Sequence, residues 1–342
     1  MKPWLLLPPQ WAHDLGPFGL KLLSLFENQP TPAWKSFTWK SLVFKNPLGI
    51  AGGVDKNAES LPEWWKLGIG FAEIGTVTPL PQSANPGKIM DRNMSEKALW
   101  NKMGFPGEGA DEVLYNLRAY GERKPTPVFV NIGKNRDTAA DFAVNDYVYL
   151  IDRLRAEADA FVVNISSPNT KGLRDFQNKH ALADLLEPIL ARAKTGDAKP
   201  VLLKLSPDLD DESLESALLT ATRLGVDGFV LTNTTLTRPA GIAFPAEGGL
   251  SGAPLKPLAT EILRKSLQIL GEKRKGQLIV SVGGVMSADD VFERLQMGAD
   301  LVEIYSALIF EGPGFFRNVA GRYNGSYNCR IPVMLASGHQ AD

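Results

Sequence analysis

Eight apolar stretches alternate along this chain with segments of helical periodicity, and this alternation constrains the fold more than any other feature. The apolar stretches, each ending in polar or glycine-rich residues, are 47–53, 71–76, 128–133, 161–166, 201–206, 228–233, 278–283 and 301–306. The helical segments are 56–67, 110–120, 140–155, 181–194, 211–224, 258–270, 288–297 and 315–323. Apolar strands without polar alternation are typical of strands covered on both faces. Eight strand–helix units predict an α/β fold of the (β/α)8 TIM barrel type, with a doubly wound sheet as the rival.

Polar residues cluster where the predicted strands end. In a barrel these ends meet at one mouth, which is where barrels and other parallel α/β folds hold ligands. The glycine pair Gly283-Gly284 and the turn after Tyr305 follow strands seven and eight, a frequent place for phosphate binding through backbone N–H groups. We therefore expect a phosphate-bearing cofactor, although each turn taken alone could be ordinary loop chemistry. The candidate site residues are Asp55, Lys56, Thr76, Asn131, Asn164, Ser167, Lys204, Thr232, Asn233, Gly283, Gly284, Tyr305 and Ser306.

Two connections are longer than one helix and two short loops require. They span residues 77–127 and 234–277 and carry the glycine-containing runs 101–107 and 248–252. Long excursions in a compact domain are usually lids or binding loops, so the first run is predicted to fold over the mouth. Disordered surface insertions are the alternative for both.

Composition excludes several classes of function. With 37 basic and 38 acidic residues the net charge is −1, which gives no indication of a nucleic-acid partner. The single cysteine, Cys329, excludes internal disulfides and cysteine-rich metal sites. The three histidines, His13, His180 and His339, lie at no strand end, so metal catalysis through histidine and a histidine base are poorly supported.

Residues 1–40 differ from the barrel pattern. The apolar run 5–7 is too short to span a bilayer or to form a secretory core, so no translocation is expected. Between His13 and Asn28 a narrow polar stripe faces a wide apolar arc, which predicts a helix that packs on protein or lies in a membrane interface. Tryptophans 4, 11, 34 and 39 would suit a membrane–water boundary.

Ordered motifs give the chain a resemblance to class 2, quinone-dependent dihydroorotate dehydrogenases. The matching runs are 46–56 (NPLGIAGGVDK), 73–79 (EIGTVTP), 101–105 (NKMGF), 130–135 (VNIGKN), 164–170 (NISSPNT), 204–208 (KLSPD), 232–235 (TNTT), 248–252 (GGLSG) and 305–306 (YS). The resemblance is close over about residues 41–320 and holds only in kind before them. It implies an N-terminal membrane- and quinone-docking segment at 1–40 and an FMN-binding barrel at 41–324. The C-terminal tail at 325–342 matches no family motif and is predicted to be a poorly ordered end.

The resemblance also implies a reaction and its base. Dihydroorotate would lose a proton from C5 to Ser167 and a hydride from C6 to FMN, giving orotate, and a quinone would reoxidise the flavin. Serine at 167, where the other branch of the family has cysteine, points to class 2. A serine hydroxyl is a poor base that needs help from its surroundings, and Thr170 is the implied member of a proton relay.

Binding residues follow by motif position. Lys56 and Asn164 are implied to contact both ligands, and carboxamides suit a pyrimidine ring because they donate and accept hydrogen bonds. The implied cofactor residues are Ala51, Gly52, Gly53, Val54, Asp55, Lys56, Thr76, Asn131, Asn164, Lys204, Thr232, Gly252, Gly284, Tyr305 and Ser306. The implied substrate residues are Lys56, Asn101, Lys102, Met103, Gly104, Phe105, Asn164, Asn169, Asn233 and Thr234.

Departures and rivals stay open at this point. The family's N-terminal quinone arginine is missing, because no arginine precedes Arg92, so the quinone contacts are in doubt. The resemblance implies a monomer, peripheral on the cytoplasmic side of a bacterial inner membrane. One rival is a Schiff-base aldolase or lyase using Lys204. The others are a non-catalytic flavin- or quinone-binding protein and an FMN barrel for other pyrimidines.

Overall fold

The predicted strands close into one parallel barrel. The computed structural model describes residues 2–26, 31–121 and 124–328. Its strands are β1 (Phe37–Trp39), β2 (Leu42–Phe44), β3 (Leu48–Ile50), β4 (Phe71–Val77), β5 (Met90–Asn93), β6 (Ala98–Asn101), β7 (Val128–Ile132), β8 (Ala160–Asn164), β9 (Val201–Leu205), β10 (Gly228–Leu231), β11 (Gly249–Gly252), β12 (Leu278–Val282) and β13 (Leu301–Ile304). The ring runs β3, β4, β7, β8, β9, β10, β12, β13 and back to β3. The barrel prediction is confirmed, and the doubly wound sheet is excluded.

The helices cover the outside of the ring and differ from the prediction mainly at their ends. They are α1 (Pro9–Asp14), α2 (Gly16–Ser24), α3 (Leu61–Leu67), α4 (Gly109–Ala119), α5 (Ala143–Leu154), α6 (Lys179–Ala193), α7 (Asp211–Leu224), α8 (Lys256–Leu270), α9 (Ala288–Met297), α10 (Ser306–Phe310) and α11 (Phe315–Asn328). The predicted helix start at Lys56 was wrong, because the Asp55 carboxylate accepts the N–H groups of Glu59 and Ser60 and holds a loop there. α11 runs past the predicted boundary at 324, and residues 329–342, with Cys329, lie outside the described residues.

The barrel interior is apolar at the N-terminal ends of the strands. Phe71, Ala160, Leu278 and Leu301 are the first residues of their strands and belong to one buried cluster with Phe129. The β1–β2 hairpin closes this end, and its Phe44 ring meets the rings of Phe71 and Phe129 at 6.0 and 6.1 Å. Because apolar side chains seal the N-terminal end, the C-terminal end is left for polar groups and a ligand.

Both long excursions meet above the C-terminal end. β6, from the first excursion, pairs antiparallel with β5 and with β11, which comes from the second. Asn101, at the end of β6, lies opposite Gly249 in this register. The described parts of the two excursions are therefore joined to each other by a shared sheet, which disordered insertions would not form.

The N-terminal segment forms two short helices, α1 and α2, where the sequence predicted one over 13–28. Arg92 of β5 anchors it, donating hydrogen bonds to the backbone carbonyls of Leu5, at 2.6 Å, and of Leu7. The predicted tryptophan cluster does not form. Trp34 is buried beside Tyr323, and Trp11 is 63% exposed.

Candidate active site at the barrel mouth

A cavity opens at the C-terminal end of the barrel, under the sheet formed by β5, β6 and β11. Its empty volume is about 1010 Å³, counting space open to solvent. The predicted site residues that line it are Ala51, Gly52, Gly53, Lys56, Thr76, Asn101, Met103, Gly104, Phe105, Asn131, Asn164, Ser167, Asn169, Lys204, Thr232, Asn233, Thr234, Gly283, Gly284, Tyr305 and Ser306. The structure therefore brings most of the predicted residues together at one cavity.

A network of buried amides crosses the mouth. Asn164 Nδ2 donates to Thr76 Oγ1 at 3.0 Å and to Asn131 Oδ1 at 3.2 Å. Asn164 Oδ1 accepts from the Ser166 hydroxyl at 3.0 Å, and Asn233 Nδ2 donates to that same hydroxyl at 2.9 Å. Each amide is thus fixed in orientation by its neighbours, which presents a defined pattern of donors and acceptors to a ligand.

A second amide pair joins the sheet above the mouth to the barrel. Asn169 Nδ2 donates to Asn101 Oδ1 at 2.9 Å, so the end of β6 is tied to the loop after β8. Asn169 Oδ1 is buried and has no hydrogen-bond partner among the described residues. A buried acceptor of this kind needs a donor from a ligand or water, because an unsatisfied buried polar group costs about 1–3 kcal/mol.

The loop after β8 carries Ser167 and is held in place by Arg174, which the sequence analysis did not identify. Arg174 Nε donates to the Ser166 carbonyl at 2.9 Å, and its guanidinium pairs with Asp208 at 2.7 Å. Ser167 is 5% exposed, and its Oγ accepts the N–H of Asn169 at 3.2 Å. The hydroxyl therefore has a fixed place at the cavity wall.

Thr170 lies three residues on and does not line the cavity. Its side chain is buried, and its Oγ1 has no partner within the described ranges. A hydroxyl that is buried and unpartnered next to a cavity is well placed to exchange a proton or to bind water.

A charged cluster forms the floor of the cavity. Lys204 Nζ lies 2.5 Å from Glu73 Oε1 and 3.9 Å from Glu303 Oε2, and all three side chains are almost fully buried. Burial lowers the pKa of Lys204, but the pairing, above all the charge and hydrogen bond of Glu73, raises it by more, so the amine stays protonated. A Schiff-base lysine must be neutral to attack a carbonyl, so this geometry disfavours the aldolase.

The loops after β12 and β13 form the opposite wall. Gly284 has φ +70°, and a Cβ there would lie 2.3 Å from the Lys256 backbone, so only glycine fits this close approach. Behind it, Arg294 is fully buried and donates to the Gly283 carbonyl at 3.1 Å. Burial lowers the pKa of Arg294 to about 10, which leaves it charged at neutral pH. A fixed cation behind exposed N–H groups suits a phosphate.

Some predicted site residues lie outside the cavity lining. Val54, Asp55 and Gly252 support it from behind, and a Cβ at Gly252 would lie 2.1 Å from the Lys97 carbonyl oxygen. Lys102 forms an ion pair with Glu247 at 2.8 Å. Lining residues that the sequence reading missed are Pro106, Ser251, Leu255, Val282, Val285, Glu303 and Ile304.

Comparisons with known proteins agree with this geometry. Residues 36–324 match the family model described as dihydroorotate dehydrogenase. A curated relative from Thermus thermophilus, named dihydroorotate dehydrogenase (quinone), is 44% identical over 280 residues, 81% of this chain and 78% of the relative. One of the same name from Acidithiobacillus ferrooxidans is 40% identical over 333 residues, 92% of this chain and 90% of the relative. A crystal structure of DHODH from Eimeria tenella in complex with ferulenol gives a TM-score of 0.83 at 31% identity, covering 94% of this chain and 92% of that one.

Proposed function

The chain belongs to the dihydroorotate dehydrogenase family, and we infer that it has the activity named for its quinone-dependent members, the oxidation of dihydroorotate to orotate in pyrimidine biosynthesis. The observation that carries this inference is the buried Ser167 at the wall of a cavity that is also lined by five asparagines. They are Asn101, Asn131, Asn164, Asn169 and Asn233. A pyrimidine ring alternates C=O and N–H groups, and carboxamides can pair with both.

We propose that the cavity holds FMN as well as the substrate. FMN would supply the acceptor for the substrate's hydride and would pass the electrons on to a quinone. Three observations support the fit. The loop at Gly284 approaches closely in a form that only glycine allows, and Lys204 presents a cation on the floor. The backbone at Gly52 also passes close to the floor, since a Cβ there would lie 2.3 Å from Glu73 Oε1.

Ser167 would take the C5 proton of dihydroorotate. A serine hydroxyl is a weak base at neutral pH, so it must hand its own proton to a partner as it accepts one. The buried and unpartnered Thr170 Oγ1 supports a relay through this hydroxyl. Arg174 would hold the loop in register by its bond to the Ser166 carbonyl.

The N-terminal segment would dock the protein on a membrane and admit the quinone. Apolar side chains of α1 and α2 are largely exposed, with Phe18 at 72% and Leu15 at 53%. Of the helices in the described ranges, none is both long and apolar enough to cross a bilayer. Shallow interfacial binding is therefore the form of contact that we propose, in a monomer on the cytoplasmic side of a bacterial inner membrane. Arg92 supports this role because it ties the segment to the sheet over the mouth.

An anaerobic visible spectrum of the purified protein tests the reaction. A yellow flavin band should bleach on adding dihydroorotate and return on adding a quinone. Ser167→Ala should slow the bleaching by about 10²–10⁴, the usual contribution of a general base. Ser95→Ala, at an exposed turn, is the matched control and should bleach as the wild type does. A yellow protein that is indifferent to dihydroorotate would contradict the substrate assignment.

A further inference from the structure

Glu303 is the least satisfied charged group in the described part of the chain. It lies on β13, is fully buried, and neither of its carboxyl oxygens accepts a hydrogen bond from a donor within the described ranges. An ionised carboxylate in such a place would carry a desolvation cost of several kcal/mol. A carboxyl group without donors avoids that cost by keeping its proton.

Glu73, which faces it from β4, has the opposite surroundings. Its Oε1 accepts from Lys204 Nζ at 2.5 Å, from Asn131 Nδ2 at 2.7 Å and from the Gly52 N–H at 3.2 Å. Three donors therefore already occupy this oxygen. Of the two buried carboxyl groups, Glu303 is the one without donors, so a proton shared by the pair is best placed on Glu303.

Both carboxyl groups lie beside the same ammonium group. Lys204 Nζ is 2.5 Å from Glu73 Oε1 and 3.9 Å from Glu303 Oε2. Oε2 of Glu73 is buried and, like both oxygens of Glu303, accepts no hydrogen bond from the described residues, so a proton on Glu303 would supply a donor to Glu73. Glu73 and Lys204 are the charged groups that act on Glu303, and Asn131 adds a neutral amide.

We propose that Glu303 is a proton-holding positioning residue, a neutral carboxylic acid that donates to Glu73 and keeps the floor of the cavity at zero net charge. With its proton on Glu303, the cluster contains one ammonium, one carboxylate and one neutral acid. Without that proton the floor would carry an extra negative charge, and Lys204 would be drawn between two carboxylates. Burial and the Glu73 carboxylate raise the pKa of Glu303 well above its usual range, against the lowering effect of Lys204.

If the cavity holds FMN, as the proposed function has it, the charge of Glu303 affects how easily the flavin is reduced. Lys204 and Glu303 both line the cavity, so a change of charge on either acts directly on a bound ring system. A neutral floor leaves the Lys204 ammonium able to stabilise negative charge that arrives on the flavin. An ionised Glu303 would oppose it and make the flavin harder to reduce.

Infrared spectroscopy of the full chain as purified tests the proton directly. The carbonyl stretch of a protonated carboxylic acid should be present at roughly pH 8, where Asp55, with a pKa of about 6, has ionised. The band should vanish in Glu303→Gln and persist in Asp55→Asn. Absence of the band in the wild type, or its survival in Glu303→Gln, would overturn the proposal. Should Glu303→Gln not fold, isotope-labelled glutamate in the wild type shows whether the band comes from a glutamic acid.

The pH dependence of the folding constant is a second test of the proton on Glu303. Above the glutamate pKa of about 4.3, the unfolded chain loses this proton while the folded chain keeps it. Relative to Glu303→Gln, the folding constant of the wild type should therefore fall tenfold per pH unit. A flat difference would refute the assignment.

The two hypotheses fail separately, because neither of these readouts needs dihydroorotate. Loss of substrate-driven bleaching with the band intact would refute the proposed function alone. On a bound flavin, Glu303→Gln should leave the midpoint potential at neutral pH unchanged. Glu73→Gln should raise it, because the negative charge of the ion pair is removed. A raised potential in Glu303→Gln would mean that the wild-type residue is ionised, which contradicts the proposal.

Discussion

The buried carboxyl group of Asp55 predicts an unusual pH dependence of stability. Burial raises its pKa from 3.8 to about 6, although the N–H groups of Glu59 and Ser60 act to lower it at 2.9 and 3.0 Å. Between these two values the unfolded chain has lost the proton and the folded chain still holds it. Rising pH therefore favours unfolding over this interval, and the effect levels off above about 6.

The size of the effect follows from the same two values. One pKa unit corresponds to about 1.4 kcal/mol, so a rise from 3.8 to about 6 lowers the free energy of unfolding by roughly 3 kcal/mol at neutral pH. Asp55→Asn removes the titration but keeps one acceptor oxygen for the loop. The free energy of unfolding of the wild type, relative to this variant, should fall by that amount between about pH 4 and pH 6.

Urea unfolding of both proteins across this pH range measures the difference. Asp55→Ala is the control, because it leaves both backbone N–H groups without their acceptor. It should be less stable than Asp55→Asn at every pH by about 1–3 kcal/mol, while sharing its pH profile. A wild-type minus Asp55→Asn difference that stays constant, or that grows with pH, would refute the reasoning.

Three further predictions concern the site and the docking segment. Gly284→Ala should release flavin, seen as free flavin in the filtrate, while Gly314→Ala, with open space at its Cβ, should retain it. Arg174→Met should slow flavin reduction by dihydroorotate up to about 100-fold by loosening the serine loop, and unchanged kinetics would contradict the positioning role. Replacing Phe18 and Phe26 by serine should reduce co-sedimentation with anionic lipid vesicles and leave the bleaching by dihydroorotate intact, since both side chains are exposed.

The fold could be predicted from the sequence because each barrel strand is a short apolar stretch that ends in polar or glycine-rich residues. The sequence also drew attention to Ser167 and the amides, which lie at or shortly after the ends of strands and line the cavity. It did not single out Arg174 and Arg294, because a charged residue within a helix or loop resembles a solvated one until its burial is known. Lys102 sits inside a matching motif and forms an ion pair with Glu247 outside the cavity lining.

A charge inside an apolar strand is the better signal of what this barrel holds. Glu73, Lys204 and Glu303 each interrupt a stretch that is otherwise apolar, and no alternation of faces explains them, because both faces of the strands are buried. Desolvation of three such groups costs several kcal/mol each, and pairing recovers only part of it. A barrel interior built for stability alone would be filled with apolar side chains, as it is at its N-terminal end. The interior therefore changes along the barrel axis from an apolar part that stabilises the fold to a charged part that serves ligand binding. The charge balance of Glu73, Lys204 and Glu303 is one determinant of the chemistry at that end.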